Sequence, residues 1–361
     1  VSEILPVFSR KPLFGYPFVV FSGAAIGFIG FGVWAHHMFT SGMGPIAEAG
    51  FGIATMIIAV PTGVKIFNWI GTMWGGRLRL QTPMLFAIGF IAMFVIGGLS
   101  GVTHAIVPSD TQQHDSYYVV AHFHYVLFGG AIFGYVAGVY YCFPKWTGRM
   151  LNEGLGKIHF WLMLIGFNMT FAPMHILGLN GMPRRTYQYG SGLGWDFWNL
   201  LATLGALVIG VSFLVFIYNL IVSKRNGAIA GPDPWDGRTL EWTIPSPPPV
   251  YNFAEEPTVH ALDDFWHQKY AEDDEGRMVP IQPVKGGALA VDKETNGGDD
   301  GEPDIHMPTA SFYPALSSFG IVVAGFGMVY LPWGWITVGV GLAITLWGLF
   351  GWSLEPVTKE H

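Results

Sequence analysis

Long apolar runs alternate with short polar connections from Val1 to about Arg225 and again after residue 311, and a long polar segment at 226–310 separates the two parts. A helix needs about 20 apolar residues to cross the hydrocarbon core of a bilayer. Glycine and proline occur inside several of the runs, which membrane helices tolerate better than soluble ones. The pattern predicts an all-α fold, a polytopic transmembrane helix bundle with about eight spans. The predicted spans cover approximately residues 15–39, 50–74, 83–105, 115–143, 157–178, 195–222, 312–331 and 333–353.

Composition agrees with a membrane protein. Of 361 residues, 51% are hydrophobic and only 12% are charged, a balance outside the range of ordinary soluble domains. The single cysteine, Cys142, excludes an internal disulfide framework and a cysteine-rich zinc or iron–sulfur site. Any metal must then be held by histidine, by carboxylate or within a cofactor. The chain begins with Val1 and has no signal-peptide pattern, so we expect a piece of a longer protein.

Acidic residues are concentrated in one segment. Residues 226–310 hold 17 of the 25 acidic residues and 5 of the 18 basic ones, which gives this segment a net charge of −12. The part from Asp292 to Asp304 is predicted to be a flexible linker. We therefore predict a helical core at 1–225, an acidic cytoplasmic tail at 226–310 and a two-helix transmembrane hairpin at 311–361, interpreted as an accessory-subunit segment fused to the end.

The basic residues indicate which side of the membrane each connection faces. The connections at residues 40–50 and 107–113 contain no lysine or arginine. By the positive-inside rule, the connections that do contain them face the cytoplasm. The basic residues assigned to that side are Arg10, Lys11, Arg77, Arg79, Lys145, Arg149, Lys157, Lys224, Arg225 and Lys359.

Two histidines lie two residues apart near the start of the fourth span. On a helix, His122 and His124 project about 200° from each other, so they leave opposite faces at nearly the same depth. One helix can thus ligate two metal centres, one on each side. The alternative is a pair of histidines hydrogen-bonded to neighbouring helices.

Adjacent histidines occur near the outer end of the first span. The side chains of His36 and His37 diverge by about 100° on a helix, so both can reach one small ion if a third ligand comes from another helix.

A lysine lies inside the second span. Inserting a lysine such as Lys65 into a membrane costs a few kcal/mol. Such a residue is found where it faces a water-filled cavity or a proton path. Thr62, one turn earlier, lies on the same face. Snorkelling of Lys65 to the inner interface is the alternative.

One connection on the outer side is basic. Arg184 and Arg185 require an anionic partner there, and a bound cofactor with carboxylates would supply one. The alternative is an ordinary solvated basic pair.

These motifs together resemble subunit I of the haem–copper oxidases, of the cytochrome c oxidase type. The likeness rests on His36-His37, on Pro61-Thr-Gly-Val-Lys65, on the string from His114 to Tyr125, and on Gly181-Met-Pro-Arg-Arg185. It runs from Val1 to about Arg225.

The resemblance implies a role for each of these residues. His36 and His37 would ligate copper, His122 the high-spin haem iron and His124 the low-spin haem iron. Further roles are implied for three pairs: His114 and Asp115 as magnesium or manganese ligands, Arg184 and Arg185 at the haem propionates, and Thr62 and Lys65 in a proton path. The implied cofactors are two haems of the haem A type, copper, and magnesium or manganese.

The family's first six helices have no counterpart in this sequence, which contains no His-Pro-Glu-Val-Tyr string. They supply the third copper histidine and the second axial histidine of the low-spin haem. The expected partners are therefore a chain or segment with those helices, a copper-bearing subunit II, a subunit III-like chain, cytochrome c and the lipid bilayer, but no nucleic acid. His159 and His175 are expected to be structural, and His306-Met307 is expected to bind nothing.

The implied function is reduction of oxygen to water with electrons from cytochrome c, coupled to proton pumping across a bacterial cytoplasmic membrane. A quinol-oxidising relative is the nearest alternative, because it shares these motifs. A non-catalytic scaffold or a secondary transporter is more distant, since a transporter does not need four histidines at one depth.

Overall fold

The computed structural model of the chain describes residues 1–272, 278–281, 311–330 and 332–355. The described residues form two compact units. The first contains residues 1–248 and the described part of 258–291, and the second contains residues 249–257 and those described from 311 onward. The division into domains at 225 and 310 stays a prediction.

Three predictions fall outside the described residues. They concern the linker from Asp292 to Asp304, the His306-Met307 pair and Lys359.

The first unit is built almost entirely from α-helices. Its helices are α1 (Ile4–Ser9), α2 (Tyr16–Gly30), α3 (Pro45–Ile57), α4 (Ala59–Met73), α5 (Thr82–Ala105), α6 (Val107–Gln113), α7 (Tyr117–Val126), α8 (Phe133–Thr147), α9 (Glu153–Leu179), α10 (Asp196–Asn226) and α11 (Asp264–Lys269). Two 3₁₀ turns, Trp34–Met38 and Leu240–Trp242, and a π-helical segment, Leu127–Ile132, lie between them. Strands β1 (Tyr270–Glu272) and β2 (Met278–Pro280) pair antiparallel.

The helices confirm the prediction of a polytopic bundle. Within the described residues, six helical stretches are long and apolar enough to cross a membrane, and two shorter apolar helices, Tyr16–Gly30 and Tyr313–Val329, complete the set of eight. The long stretches are Pro45–Met73, Thr82–Ala105, Tyr117–Thr147, Glu153–Leu179, Asp196–Asn226 and Trp335–Ser353.

The first predicted span is too long. Helix α2 ends at Gly30, and the chain continues with bonds of the i to i−3 type, such as that from the N–H of His36 to the carbonyl of Val33 at 2.9 Å. Gly30 and Gly32 favour this end, because glycine loses more backbone entropy in a helix than any other residue. The predicted position of His36 and His37 on the helix is therefore wrong, since they lie in a 3₁₀ turn.

The second predicted span is divided in two. Helices α3 and α4 meet at Ile58 because Pro61 has no N–H to donate to the carbonyl of Ile57.

Glycine allows α9 and α10 to pack closely. A Cβ atom on Gly205 would lie 2.6 Å from the backbone nitrogen of Thr170 and 2.8 Å from the carbonyl oxygen of Gly166. Small residues at such contacts let membrane helices approach, because lipid provides no hydrophobic force to bring them together.

We expect Gly205→Ala to lower the stability of the purified complex by about 1–3 kcal/mol, because the new methyl group would overlap backbone atoms of α9. Gly210→Ala is the matched control on the same helix, since a Cβ atom at Gly210 would meet no described atom of another helix within 4 Å. The thermal midpoint of the helical circular dichroism signal measures both variants. Equal midpoints for the two would contradict this account of the α9–α10 contact.

The chain after α10 packs on the end of α8. The indole N–H of Trp235 donates to the carbonyl of Tyr141 at 2.8 Å, and that of Trp242 donates to the Tyr141 hydroxyl at 3.0 Å. Trp235 and Trp242 are both buried. Residues 226–248 thus belong to the first unit and pack on its helices through Trp235 and Trp242.

The second unit contains α12 (Tyr313–Val329) and α13 (Trp335–Ser353). The contacts of Gly348 with Ser317 and of Gly327 with Val338 show that the two helices pack antiparallel. Most of the buried residues between them are small, namely Ser317, Gly320, Ala324, Gly327, Gly341 and Gly348, as predicted from the glycines.

Candidate functional site

Helix α7 presents its two histidines to different neighbouring helices. Nδ1 of His122 lies 2.9 Å from the carbonyl oxygen of Gly97 on α5. The imidazole of His124 stacks on the ring of Phe171 on α9, with centroids 4.1 Å apart and an angle of 14° between the planes. The two-residue spacing predicted that the side chains of His122 and His124 leave α7 in opposite directions, and these contacts agree with that prediction.

Both imidazoles have the same tautomer. Nδ1 of His122 contacts the Gly97 carbonyl, and Nδ1 of His124 lies 2.8 Å from the carbonyl oxygen of Val120. A carbonyl only accepts hydrogen bonds, so Nδ1 of each histidine carries the proton and Nε2 carries the lone pair. None of the hydrogen bonds among the described residues uses Nε2 of either histidine.

This tautomer suits a histidine that binds a metal through Nε2. Such a histidine donates its other ring N–H to a carbonyl or a carboxylate, which fixes the ring orientation and makes the ligand more basic. His122 and His124 can therefore each offer Nε2 to a metal ion, one on each face of α7.

His36 and His37 converge in the 3₁₀ turn. Their Nε2 atoms lie 3.1 Å apart. Nδ1 of His36 lies 3.1 Å from the hydroxyl oxygen of Thr55, which already donates its proton to the carbonyl of Phe51 at 2.6 Å. The Thr55 oxygen thus accepts the Nδ1 proton of His36, and the lone pair of Nε2 is directed at its neighbour. In one tautomer of His37, its Nε2 donates its proton to that lone pair. A cation bound to both nitrogens would take the place of this proton, and imidazole suits copper.

The pair has no third protein ligand in the part of the chain that the structure describes. No group of three histidine, cysteine, aspartate or glutamate side chains that could hold a metal occurs among the described residues. That another chain or segment contributes the third copper histidine stays a prediction.

Asp110 links two imidazoles at the C-terminal ends of α5 and α6. Its Oδ1 lies 3.0 Å from Nδ1 of His104, and its Oδ2 lies 2.9 Å from Nδ1 of His114. Burial raises the pKa of the Asp110 carboxyl, but the hydrogen bonds from the two histidines outweigh burial and hold that pKa below its usual range. The stabilisation from this carboxylate is therefore present at neutral pH and is lost only as the pH falls through the lowered pKa.

The sequence analysis missed this cluster. His104 and Asp110 lie at the end of an apolar run, and a search for polar groups at that end would have found them. The ring of His104 lies 5.0 Å, centroid to centroid, from that of His122, so the cluster adjoins the α7 site.

Asp115 pairs with the arginines of the outer loop. Nη1 of Arg185 donates to both carboxylate oxygens of Asp115 at 3.1 Å, and the backbone N–H of Arg184 donates to the Asp115 carbonyl at 2.9 Å. The predicted ion ligands His114 and Asp115 thus have different partners. The Arg184 guanidinium lies 5.5 Å from the ring centroid of Phe123, the residue between the two α7 histidines, so Arg184 is close to the site.

Lys65 lies in the bundle between α2 and α4. A Cβ atom on Gly23 would lie only 3.2 Å from Nζ of Lys65, and Nζ lies 6.0 Å from the ring centroid of Trp69. Among the described residues no carboxylate lies within 4.0 Å of it. The Thr62 hydroxyl donates to the carbonyl of Ile58 at 2.8 Å, which leaves its lone pairs free to accept.

Comparison with known proteins identifies relatives of the chain. A model of the family described as Cytochrome C and Quinol oxidase polypeptide I matches residues 1–208. The chain is 50% identical to cytochrome c oxidase subunit 1 of Bacillus sp. strain PS3, over 100% of this chain and 55% of that protein. It is 44% identical to quinol oxidase subunit 1 of Bacillus subtilis strain 168, over 94% of this chain and 50% of that protein. The chain thus spans about half the length of the curated relatives it matches.

A solved structure also resembles the chain. It is a haem–copper terminal oxidase dimer determined by cryo-EM, with a TM-score of 0.57 and 22% identity over 63% of this chain and 45% of that chain. At this identity the likeness supports the helical fold. The family model matches only as far as residue 208, but the similarity to the strain PS3 protein covers the whole chain, so the predicted limit of the likeness at Arg225 is wrong.

Proposed function

Because the chain belongs to the haem–copper oxidase subunit I family, described as Cytochrome C and Quinol oxidase polypeptide I, we propose that it is the part of that subunit which holds two haem irons and helps to hold one copper ion. The observation that carries the proposal is the shared tautomer of His122 and His124 on opposite faces of α7. The proposed reaction of the assembled complex is reduction of oxygen to water by electrons from cytochrome c, coupled to proton pumping.

The chain's own residues have distinct proposed tasks at the metals. His122 offers Nε2 on the α5 side and His124 offers Nε2 on the α9 side, while their Nδ1 hydrogen bonds prevent the rings from turning. His36 and His37 offer a pair of Nε2 atoms to copper. When bound, haem and copper supply the redox chemistry that no amino-acid side chain provides.

Lys65 and Thr62 are proposed to move protons toward the oxygen site from the basic, cytoplasmic side. Support comes from the absence of a carboxylate near Nζ of Lys65 within the described residues, because a paired lysine would be held in place as part of an ion pair. A lysine that keeps its three donors free can pass a proton to water or to a hydroxyl such as that of Thr62.

The outer groups are proposed to bind the anionic side of the haems and a divalent ion. Arg184 fits a haem propionate better than Arg185 does, because Arg185 donates to both oxygens of Asp115 at 3.1 Å, whereas Nη1 of Arg184 lies 3.7 Å from Oδ1 of Asp115. His114 fits a magnesium or manganese ion through Nε2, since Asp110 accepts at Nδ1. Asp115 is the proposed second ligand of that ion.

The complete oxidase requires partners that supply what this chain lacks. We propose a chain or segment with the first six helices, a copper-bearing subunit II, a subunit III-like chain and haem A as the haem type, in a bacterial cytoplasmic membrane. Quinol is the alternative donor, and it is favoured by one observation, the 44% identity to a quinol oxidase subunit 1.

The test is the reduced-minus-oxidised optical spectrum of the purified membrane complex, with mass spectrometry of its subunits and oxygen uptake on the same sample. We expect two haem environments, and oxygen uptake that is faster with reduced cytochrome c than with a quinol. Faster uptake with quinol would support the alternative donor. A complex without haem would overturn the proposal and favour a scaffold or transporter.

A further inference from the structure

The hydroxyl of Ser100 lies behind the imidazole of His122. Ser100 Oγ is 3.0 Å from Nδ1 of His122 and 2.8 Å from the carbonyl oxygen of Gly97. The same Nδ1 is 2.9 Å from that carbonyl, so the three polar atoms contact one another. Ser100 is buried, with 5% of its surface exposed, and bulk water therefore does not compete for these contacts.

The positions of the protons determine the direction of each hydrogen bond among Gly97, Ser100 and His122. The carbonyl of Gly97 can only accept, so the Ser100 hydroxyl donates to it. Nδ1 of His122 also lies within hydrogen-bond distance of this carbonyl, which cannot donate, so Nδ1 carries a proton of its own. The lone pairs of Ser100 Oγ then accept from that N–H, which is shared between the carbonyl and the hydroxyl.

A third residue of α5 limits where the imidazole can lie. A Cβ atom on Gly101 would be 3.0 Å from Cε1 of His122 and 3.9 Å from its Nε2, so the ring rests against bare backbone. Gly97, Ser100 and Gly101 are three and four residues apart, which places them on one face of the helix. Together, Gly97, Ser100 and Gly101 form a surface of α5 that fixes both the position and the hydrogen bonds of the His122 imidazole.

We propose that Ser100 is a positioning residue that makes His122 a stronger ligand for the iron it binds, by adding a second acceptor at its Nδ1 proton. A stronger acceptor at Nδ1 gives the imidazole more anionic character, which strengthens the bond from Nε2 and favours the oxidised metal. This inference rests on the proposed function, in which His122 ligates the high-spin haem.

The test is Ser100→Ala in the complete, purified complex. Removal of the hydroxyl deletes the second acceptor, so we expect a lower frequency of the iron–histidine stretch in the resonance Raman spectrum of the reduced haem and a higher midpoint potential. Ser100→Thr keeps the hydroxyl and is expected to restore both values toward those of the native complex. Neither readout is a measure of activity.

The matched control is Thr103→Val, which removes another α5 hydroxyl. Thr103 Oγ1 donates to the Ser100 carbonyl at 2.6 Å, and none of its hydrogen bonds reaches His122. We expect the stretch and the potential of this variant to match the native values.

The other outcomes overturn the inference in distinguishable ways. An unchanged stretch and potential in Ser100→Ala, with the haem still bound at His122, would refute the role of Ser100 alone. A higher stretch frequency would mean that the hydroxyl acts mainly by weakening the Gly97 carbonyl as an acceptor, and would also refute it. Absence of a haem that depends on His122 would refute the proposed function itself.

Discussion

The complex with His122→Ala is expected to lose its carbon monoxide-binding haem signal and to keep the other haem signal, whereas His124→Ala is expected to do the reverse. The reason is that the two imidazoles contact different helices, α5 and α9, so each metal loses its own ligand and the other ligand stays in place. Optical difference spectra with and without carbon monoxide separate the two environments.

The same variants are expected to lose more oxygen uptake than the roughly 10–100-fold that removal of an outer partner of a metal ligand costs. His175→Gln on α9 is the control, because its ring contacts Tyr118 and Tyr125 and is not assigned to a metal. It should keep both haem signals. Loss of both signals in either His122→Ala or His124→Ala would contradict the assignment of one metal to each face of α7.

Lys65→Met is expected to reduce steady-state oxygen uptake by about 10²-fold or more, in the range that a positioned proton donor contributes. Both haem spectra should stay unchanged, because Lys65 contacts neither α7 histidine in the structure. Methionine keeps the length of the side chain, so Gly23 and Trp69 keep their neighbour while the three proton donors are lost.

Lys157→Met is the matched control for Lys65→Met. Lys157 lies on α9, is half-exposed and pairs with Glu153 at 3.6 Å, a surface contact of small energetic value. We expect its oxygen uptake to stay close to that of the native complex. If Lys65→Met also kept native uptake, Lys65 would be a snorkelling residue and the proposed proton path would be wrong.

These two predictions also separate the oxidase from the alternatives. A secondary transporter would need Lys65 and would be indifferent to the α7 histidines, since it requires no haem. A non-catalytic scaffold would tolerate changes at both sites. Only a haem-dependent oxidase loses oxygen uptake by two routes, one with a changed spectrum and one without.

Local features of the sequence were sufficient for most of the helices and for the direction of the α7 histidines, but not for the end of α2 at Gly30 or for the break between α3 and α4 at Ile58. Hydrophobic length predicts a membrane helix, because an apolar run of that length has few other stable environments. The spacing of His122 and His124 predicts opposite faces, because helical geometry is the same in any protein.

Only the tertiary structure decided the partners of these residues. The acceptors of His122, Gly97 and Ser100, lie on α5, and Asp115 meets Arg185 from 70 positions away. The sequence pattern also placed His36 and His37 on the first helix, whereas the structure places them in a 3₁₀ turn beside Thr55. Hydrophobic periodicity determines whether a segment is helical, but hydrogen bonds depend on which helices become neighbours, and helix packing determines that.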